Sequence, residues 1–377
     1  MGRHRRGGLS GHLARSVLLA CAALAAVAVV AACGSSSSSS DTGSGKASKT
    51  LVINSFGGEW GDALQKGVID DFERQTGIKV TLLSTADASK SKLAVQSGNK
   101  PPEDLIDTDY PTVAAMANSG LLAPINYKRF DQSTLTKLPA NAKQQYGVAW
   151  GGFAIALCYD KRKFPNNPPN SWADFWNFNA FPGNRGMIEW PVEPQPEFGL
   201  IAAGVSITQV YPIDEKKAFA QLQLLRPHVP KFASDPASLQ QQMLDGTVSM
   251  EACYSHRVQK LIDGGVQNIG ISYNGARLSN DYFMVWKNAP NRDNAIKFLD
   301  YLLSAKAQAN WARIGDTAPV NPDAFKMLPK NVQAKLATAP QYRDKEFVQG
   351  DRYYSAMKDG KTNQQRIIDE WGNLVGG

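Results

Sequence analysis

The sequence predicts an α/β protein of two lobes. Three observations lead there: strand-like and helix-like segments alternate from Thr50 onward, the length suits two domains, and helix-free extended runs sit where lobes would be joined. At 377 residues the chain is long enough for two cores of ordinary size. Leu51-Val52-Ile53-Asn54-Ser55-Phe56 reads as a first strand ending at Gly57-Gly58. Trp60, Leu64, Val68, Ile69 and Phe72 then recur at helical spacing until Gly77, and Ile78 to Leu83 reads as a second strand. A helix near Ser89 to Gln96, a strand at Leu105-Ile106 and a helix from Pro111 to Asn118 continue the pattern. Alternation of this kind implies a mostly parallel sheet covered on both faces.

Tyr146 to Tyr159 departs from the pattern, being two apolar extended pieces joined at Gly151-Gly152 with no helix between them, which suits a crossing between lobes. Ser171 stands where it caps a helix beginning at Trp172. Asp281 to Trp286 is again strand-like, and Arg292 to Leu303 places Ala295, Ile296, Leu299 and Leu302 on one helical face. The tail from Pro322 is expected to be mostly helical. The predicted organisation is residues 1–32 as a leader, 33–49 as a tether, 50–150 as the first part of lobe 1, 151–275 as lobe 2, and 276–377 as the return to lobe 1 plus C-terminal helices.

The leader carries Arg3, Arg5, Arg6 and Arg15 before an uninterrupted small and apolar run from Ser16 to Ala32, the order and polarity of a secretion signal. Val30-Ala31-Ala32-Cys33 resembles the bacterial lipobox, which implies cleavage before Cys33 and lipid on its thiol. Gly34 to Lys49, with serine at every position from 35 to 40, lacks the apolar content to fold and reads as a tether. Removing the leader leaves 37 basic against 34 acidic residues, a net of +3, so the basic balance of the whole chain says little about partners. No Lys/Arg stripe with interleaved aromatics is present, which argues against nucleic acid. Outside the leader and the lipid site only Cys158 and Cys253 remain; they form one disulfide or lie as two buried thiols, since sequence gives no distance between them.

Enzyme signatures are missing from the folded region. His228 and His256 are its only histidines, neither has a second imidazole at zinc-ligand spacing, and both read as surface or capping residues. There is no Gly-x-Ser-x-Gly elbow and no Cys-x-x-Cys. The expectation is a non-enzymatic protein without cofactor or metal, and a cell-surface hydrolase on a lipid tether is the remoter alternative. Trp172, Trp176 and Trp311 lie in helical apolar patterns and read as core anchors. Tyr353-Tyr354 resembles a ferric tyrosine pair, but sits in the tail, away from the expected cleft.

Several stretches, in order, resemble the solute-binding components of bacterial ABC importers, in the spermidine/putrescine-binding family. They are Thr76-Gly77-Ile78-Lys79-Val80, Asp104-Leu105, Ser171-Trp172-Ala173-Asp174-Phe175, and Asp281 to Leu303 with its Asn288-Ala289-Pro290-Asn291 turn. The resemblance implies a two-lobed periplasmic-binding-protein fold of type II, with two hinge strands and a ligand cleft between lobes. The crossings then fall at Tyr146 to Tyr159 and around Ile271 to Asp281. It also implies a monomer that delivers its ligand to a membrane permease from outside the cytoplasm.

By matching positions, the resemblance places Asp281 against a ligand amine and Tyr254 against a ligand hydrocarbon chain. It puts Asp109, Trp60, Glu59 and Glu189 at or near the cleft. Ser279 and Pro111 replace aromatics common in the family, so the aromatic box is thinner than in polyamine binders. A small cationic ligand, polyamine-like, follows from acids and aromatics alternating near strand ends, because ammonium groups leaving water need carboxylates and methylenes need aromatic cover. The alternative ligand is an amino acid such as γ-aminobutyrate, an opine or a phosphonate, for which Arg257 or Arg277 would supply the anion's partner.

Overall fold

The computed structural model describes residues 48–189 and 195–376. The leader, Cys33 and nearly all of the tether therefore lie outside the described residues. The first strand, β1 (Thr50–Asn54), pairs in parallel with β2 (Lys79–Leu83) and β3 (Leu105–Asp109). Between β1 and β2 the chain is helical from Gly58 to Thr76, with one wider turn at Gln65–Ile69. Gly77 ends it with φ of 68°, donating its N–H to Glu73 O at 2.8 Å, a left-handed cap that glycine adopts without penalty.

Two long strands organise the remainder. They are β4 (Val148–Asp160) and β7 (Ile269–Val285), both almost wholly buried and antiparallel to each other. With β5 (Arg185–Gly186), β6 (Met250–Tyr254), β8 (Ala318–Pro319) and β9 (Glu346–Val348) they complete one sheet. Its order is β2-β1-β3-β7-β4-β6-β5, with β8 added on β4 and β9 on β7. One end of the β4–β7 ribbon, where Val148 faces Phe283, belongs with β1, β2 and β3; the other, where Asp160 faces Ile269, belongs with β5 and β6. The sheet thus has two halves joined by two continuous strands.

The expectation of a mostly parallel sheet needs correcting. β1–β2, β1–β3, β5–β6 and β7–β9 are parallel, but β3–β7, β4–β7 and β4–β6 are antiparallel, so the sheet is mixed. The cause is the crossing itself: a chain that leaves one half and later returns must run the opposite way. The final segment touches both halves. β9 lies along Ala276–Leu278 of β7, Trp371 Nε1 donates to Glu189 O at 3.2 Å, and Gln364 Nε2 donates to Asp109 Oδ2 at 3.0 Å.

Local chemistry fixes several elements as the sequence suggests. Ser171 Oγ accepts from Asp174 N at 3.2 Å and starts the Trp172–Trp176 helix. Trp172 stacks on Phe198 with centroids 3.8 Å apart, and Trp150 stacks on Phe283 at 4.9 Å. Cys158 and Cys253 form a disulfide between β4 and β6. No helix among the described residues is long and apolar enough to cross a membrane.

Candidate functional site

A cleft opens where β3, β7 and the start of β6's following helix converge. Its acidic wall comes from β3 and β7. Asp109 and Asp281 are register partners on these antiparallel strands, so their side chains leave the same face, and Asp107 lies two residues along β3 on that face. All three line the cleft.

Each β3 carboxylate is held by named donors. Asp107 is fully buried and accepts from Ser55 Oγ at 2.7 Å, Trp60 Nε1 at 3.0 Å and Trp150 Nε1 at 2.9 Å. Burial pushes its pKa up to about 7, against the pull of those three donors. Asp109 is the N-cap of the Tyr110–Asn118 helix, accepting from Thr112 N at 3.1 Å as well as from Gln364. Burial raises its pKa too, with Thr112 and Gln364 opposing. Asp351, beside them and bonded to Tyr282 OH at 3.1 Å, is raised to about 7 by burial and then by the charge of Asp109.

The opposite wall is aromatic and basic. Tyr254 ends β6 and begins the Ser255–Asp263 helix, whose N-terminus has no side-chain cap. Tyr254, His256 and Arg257 line the cleft in succession. Phe153 of β4 tilts against Tyr254 with centroids 5.7 Å apart, and Trp60 meets His256 edge-on at 5.6 Å. Burial, then the charges of Arg257 and Lys260, drive the His256 pKa down to about 3, so the imidazole is neutral.

The structure therefore brings Asp281, Tyr254, Asp109, Trp60 and Arg257 into one cleft. Glu59 is exposed and borders a smaller adjoining cavity instead. Glu189 is exposed and is not among the described lining residues of either cavity. Arg277, offered as an anion partner, is corrected: it is buried and its Nη1 donates to Glu197 Oε2 at 3.2 Å, away from the cleft lining. His256 is likewise corrected, being 8 % exposed and part of the cleft wall rather than a surface residue, because Trp60 and Phe153 fold over it. Tyr354 OH donates to Glu197 Oε1 at 2.7 Å, and Tyr353 OH to Glu215 Oε1 at 3.3 Å; neither lines the cleft.

Sequence reasoning missed Phe153 and Gln349. Phe153 was visible only as part of an apolar run. Gln349 reaches the cleft because β9 docks on β7, and its Oε1 accepts from Ser279 Oγ at 2.9 Å. No local pattern signals that long-range pairing.

Comparison with known proteins gives a consistent picture. The profile of bacterial extracellular solute-binding proteins matches residues 67–340. A γ-aminobutyric acid-binding protein of Pseudomonas aeruginosa is 29% identical over 299 residues, covering 78% of this chain and 83% of that protein. Spermidine/putrescine-binding periplasmic protein 1 of Haemophilus influenzae is 25% identical over 292 residues, covering 74% and 79%. Among solved structures, an ABC transporter substrate-binding protein from Bradyrhizobium japonicum matches with TM-score 0.80 at 27% identity, covering 86% of this chain and 99% of its own. The A. tumefaciens PBP AgtB in complex with agropinic acid matches with TM-score 0.76 at 28% identity, covering 87% and 99%. The two-lobed fold expected from the sequence is the one observed.

Proposed function

Since this chain belongs to the bacterial extracellular solute-binding protein family, it is the solute-binding component of an ABC transporter, and we propose that its cargo is a small amino acid with separated charges, of the γ-aminobutyrate kind. The observation that carries this reading is the pairing of Asp109 with Asp281 across two strands, facing Arg257 over the same cleft. Two carboxyl groups leaving one face of adjacent strands offer an ammonium group acceptors from both, and charge-assisted hydrogen bonds of that kind are the strong ones. At the other end, the uncapped start of the Ser255–Asp263 helix and the Arg257 guanidinium together favour a carboxylate. Phe153, Tyr254 and Trp60 cover the methylenes between.

A polyamine is the second reading, favoured by three carboxylates on one wall and by the similarity to a spermidine/putrescine-binding protein. Arg257 speaks against it, because a second ammonium would approach a guanidinium. Thermal shift and calorimetry with γ-aminobutyrate, agropinic acid, putrescine and spermidine separate the readings, since a ligand that binds only the folded state raises the melting temperature. Arg257→Gln should abolish the response to an amino acid and spare that to a diamine, while Asp281→Asn should reduce both. Binding of diamines alone would replace the amino-acid reading with the polyamine one, and turnover of any of these compounds would favour the hydrolase.

The protein works outside the cytoplasm, handing its cargo to a permease in the membrane. We further propose that lipid on Cys33 anchors it there through the 33–49 tether. Cys33→Ala, giving a chain released from the membrane fraction, is the expected result; unchanged retention would overturn the anchor.

A further inference from the structure

Behind Trp60 lies the smaller cavity, bordered by Glu59, Trp60, Trp311 and Gly315 from the first half and by His256, Arg257 and Lys260 from the second. Two atoms of these residues stand out. Trp311 Nε1 and His256 Nδ1 are fully buried, and neither has a hydrogen-bond partner among the described residues. Buried polar atoms left unpaired are uncommon and each needs a physical reason. Here they come as a pair, on two side chains that border the same small space from opposite halves of the protein.

The chemistry of the pair is complementary. An indole N–H only donates, whereas a neutral imidazole has one nitrogen that donates and one that accepts. Both rings are pinned against Trp60, Trp311 edge-on at 4.7 Å and His256 at 5.6 Å, and Trp60 is itself tied to Asp107. The space between has room for about one water molecule and no organic cargo. Gly151 lies alongside, where a Cβ would come within 3.2 Å of Trp311 Nε1 and 3.4 Å of Trp60 Cη2, so the strand leaves this corner open only as glycine.

We infer that this seam cavity is a water site: one water accepts from Trp311 Nε1–H and donates to His256 Nδ1, linking the two halves while the cleft is shut. The two partners belong to different halves, so the bridge breaks when the cleft opens. It therefore slows release of any cargo, whatever the cargo's charge. A bridging water of this kind is worth about as much as a direct hydrogen bond, or roughly a three- to tenfold change in dissociation rate.

The test has two arms. A high-resolution crystal structure of the closed full-length fold should show one water within hydrogen-bond distance of both atoms. Stopped-flow dissociation is then measured with γ-aminobutyrate and with putrescine, using Trp311→Phe, His256→Phe and the double variant. Each single change should speed release three- to tenfold, and the double variant should match the singles. A dry cavity in the closed crystal, or a double variant whose effect is the product of the singles, overturns the bridge. If neither probe binds, the proposed cargo class fails, and the water site stands or falls on the crystal alone.

Discussion

Asp107→Asn separates the burial of a charge from the hydrogen bonds that surround it. The carboxylate is 1 % exposed and its pKa stands at about 7 rather than 3.8. Between those values the unfolded chain has released its proton while the folded chain keeps it. Stability therefore falls as pH rises through that window, and the full cost is present above about pH 7. About three units at 1.36 kcal/mol each amount to about 4 kcal/mol, of which about 3 kcal/mol develops between pH 5 and 8. Asparagine carries no charge at any pH and escapes this cost. It has only one acceptor oxygen, so either the Trp150 indole or the Ser55 and Trp60 pair loses its partner, at about 1–3 kcal/mol. Urea unfolding followed by tryptophan fluorescence should find the variant no more stable than the wild type at pH 5, and more stable by about 1–3 kcal/mol at pH 8. A difference that is the same at both pH values would refute burial as the source of the shift.

Other changes probe the same frame. Gln364→Leu removes the side-chain donor to Asp109 Oδ2, worth about 1 kcal/mol at a half-buried carboxylate, so calorimetry should read about fivefold weaker binding of an amine-bearing cargo. The Cys158–Cys253 disulfide closes a loop with a sequence separation of 95, for which chain entropy gives about 4–5 kcal/mol; the Cys158→Ser, Cys253→Ser double variant should show that loss in denaturant midpoints. Gly275 has φ of 75°, and a Cβ there would stand 2.7 Å from Trp172 Cδ1, so Gly275→Ala should cost about 2–4 kcal/mol in chemical unfolding.

What the chain reveals before folding depends on whether the cause is local. The Gly77 and Ser171 caps rest on interactions within a few residues, and the first three strands, though their partners lie far along the chain, are each marked by a local apolar run. The mixed pairing of the sheet is not local: it follows from β4 and β7 meeting across more than a hundred residues. The same distinction separates the site residues. Asp281 and Tyr254 sit at strand positions whose chemistry and family resemblance agree. Arg277 shares strand parity with Asp281, but four residues along a strand is about 13 Å, enough to carry it away from the cleft and onto Glu197. His256 reads as exposed because a lone imidazole carries no burial signal of its own, although Val258, Leu261 and Ile262 give its helix an apolar face, and its burial comes from Trp60 and Phe153 on distant segments.

On the proposed reading, charge placement explains why cargo would shut the cleft. Asp107 and Asp109 hang from β3 in the first half, Arg257 projects from the second, and Asp281 sits on the crossing strand between them. A ligand favours the closed state only by the free energy it gains there beyond what it gains in the open one. An ammonium held between Asp109 and Asp281 is already satisfied by one wall. Its bond to that wall does not depend on the other half. A carboxylate at the far end reaches Arg257 only when the halves approach, so the second charge of a zwitterion supplies the differential term. A diamine lacks it, and a diamine that closed the cleft as fully as γ-aminobutyrate in solution scattering would contradict this account.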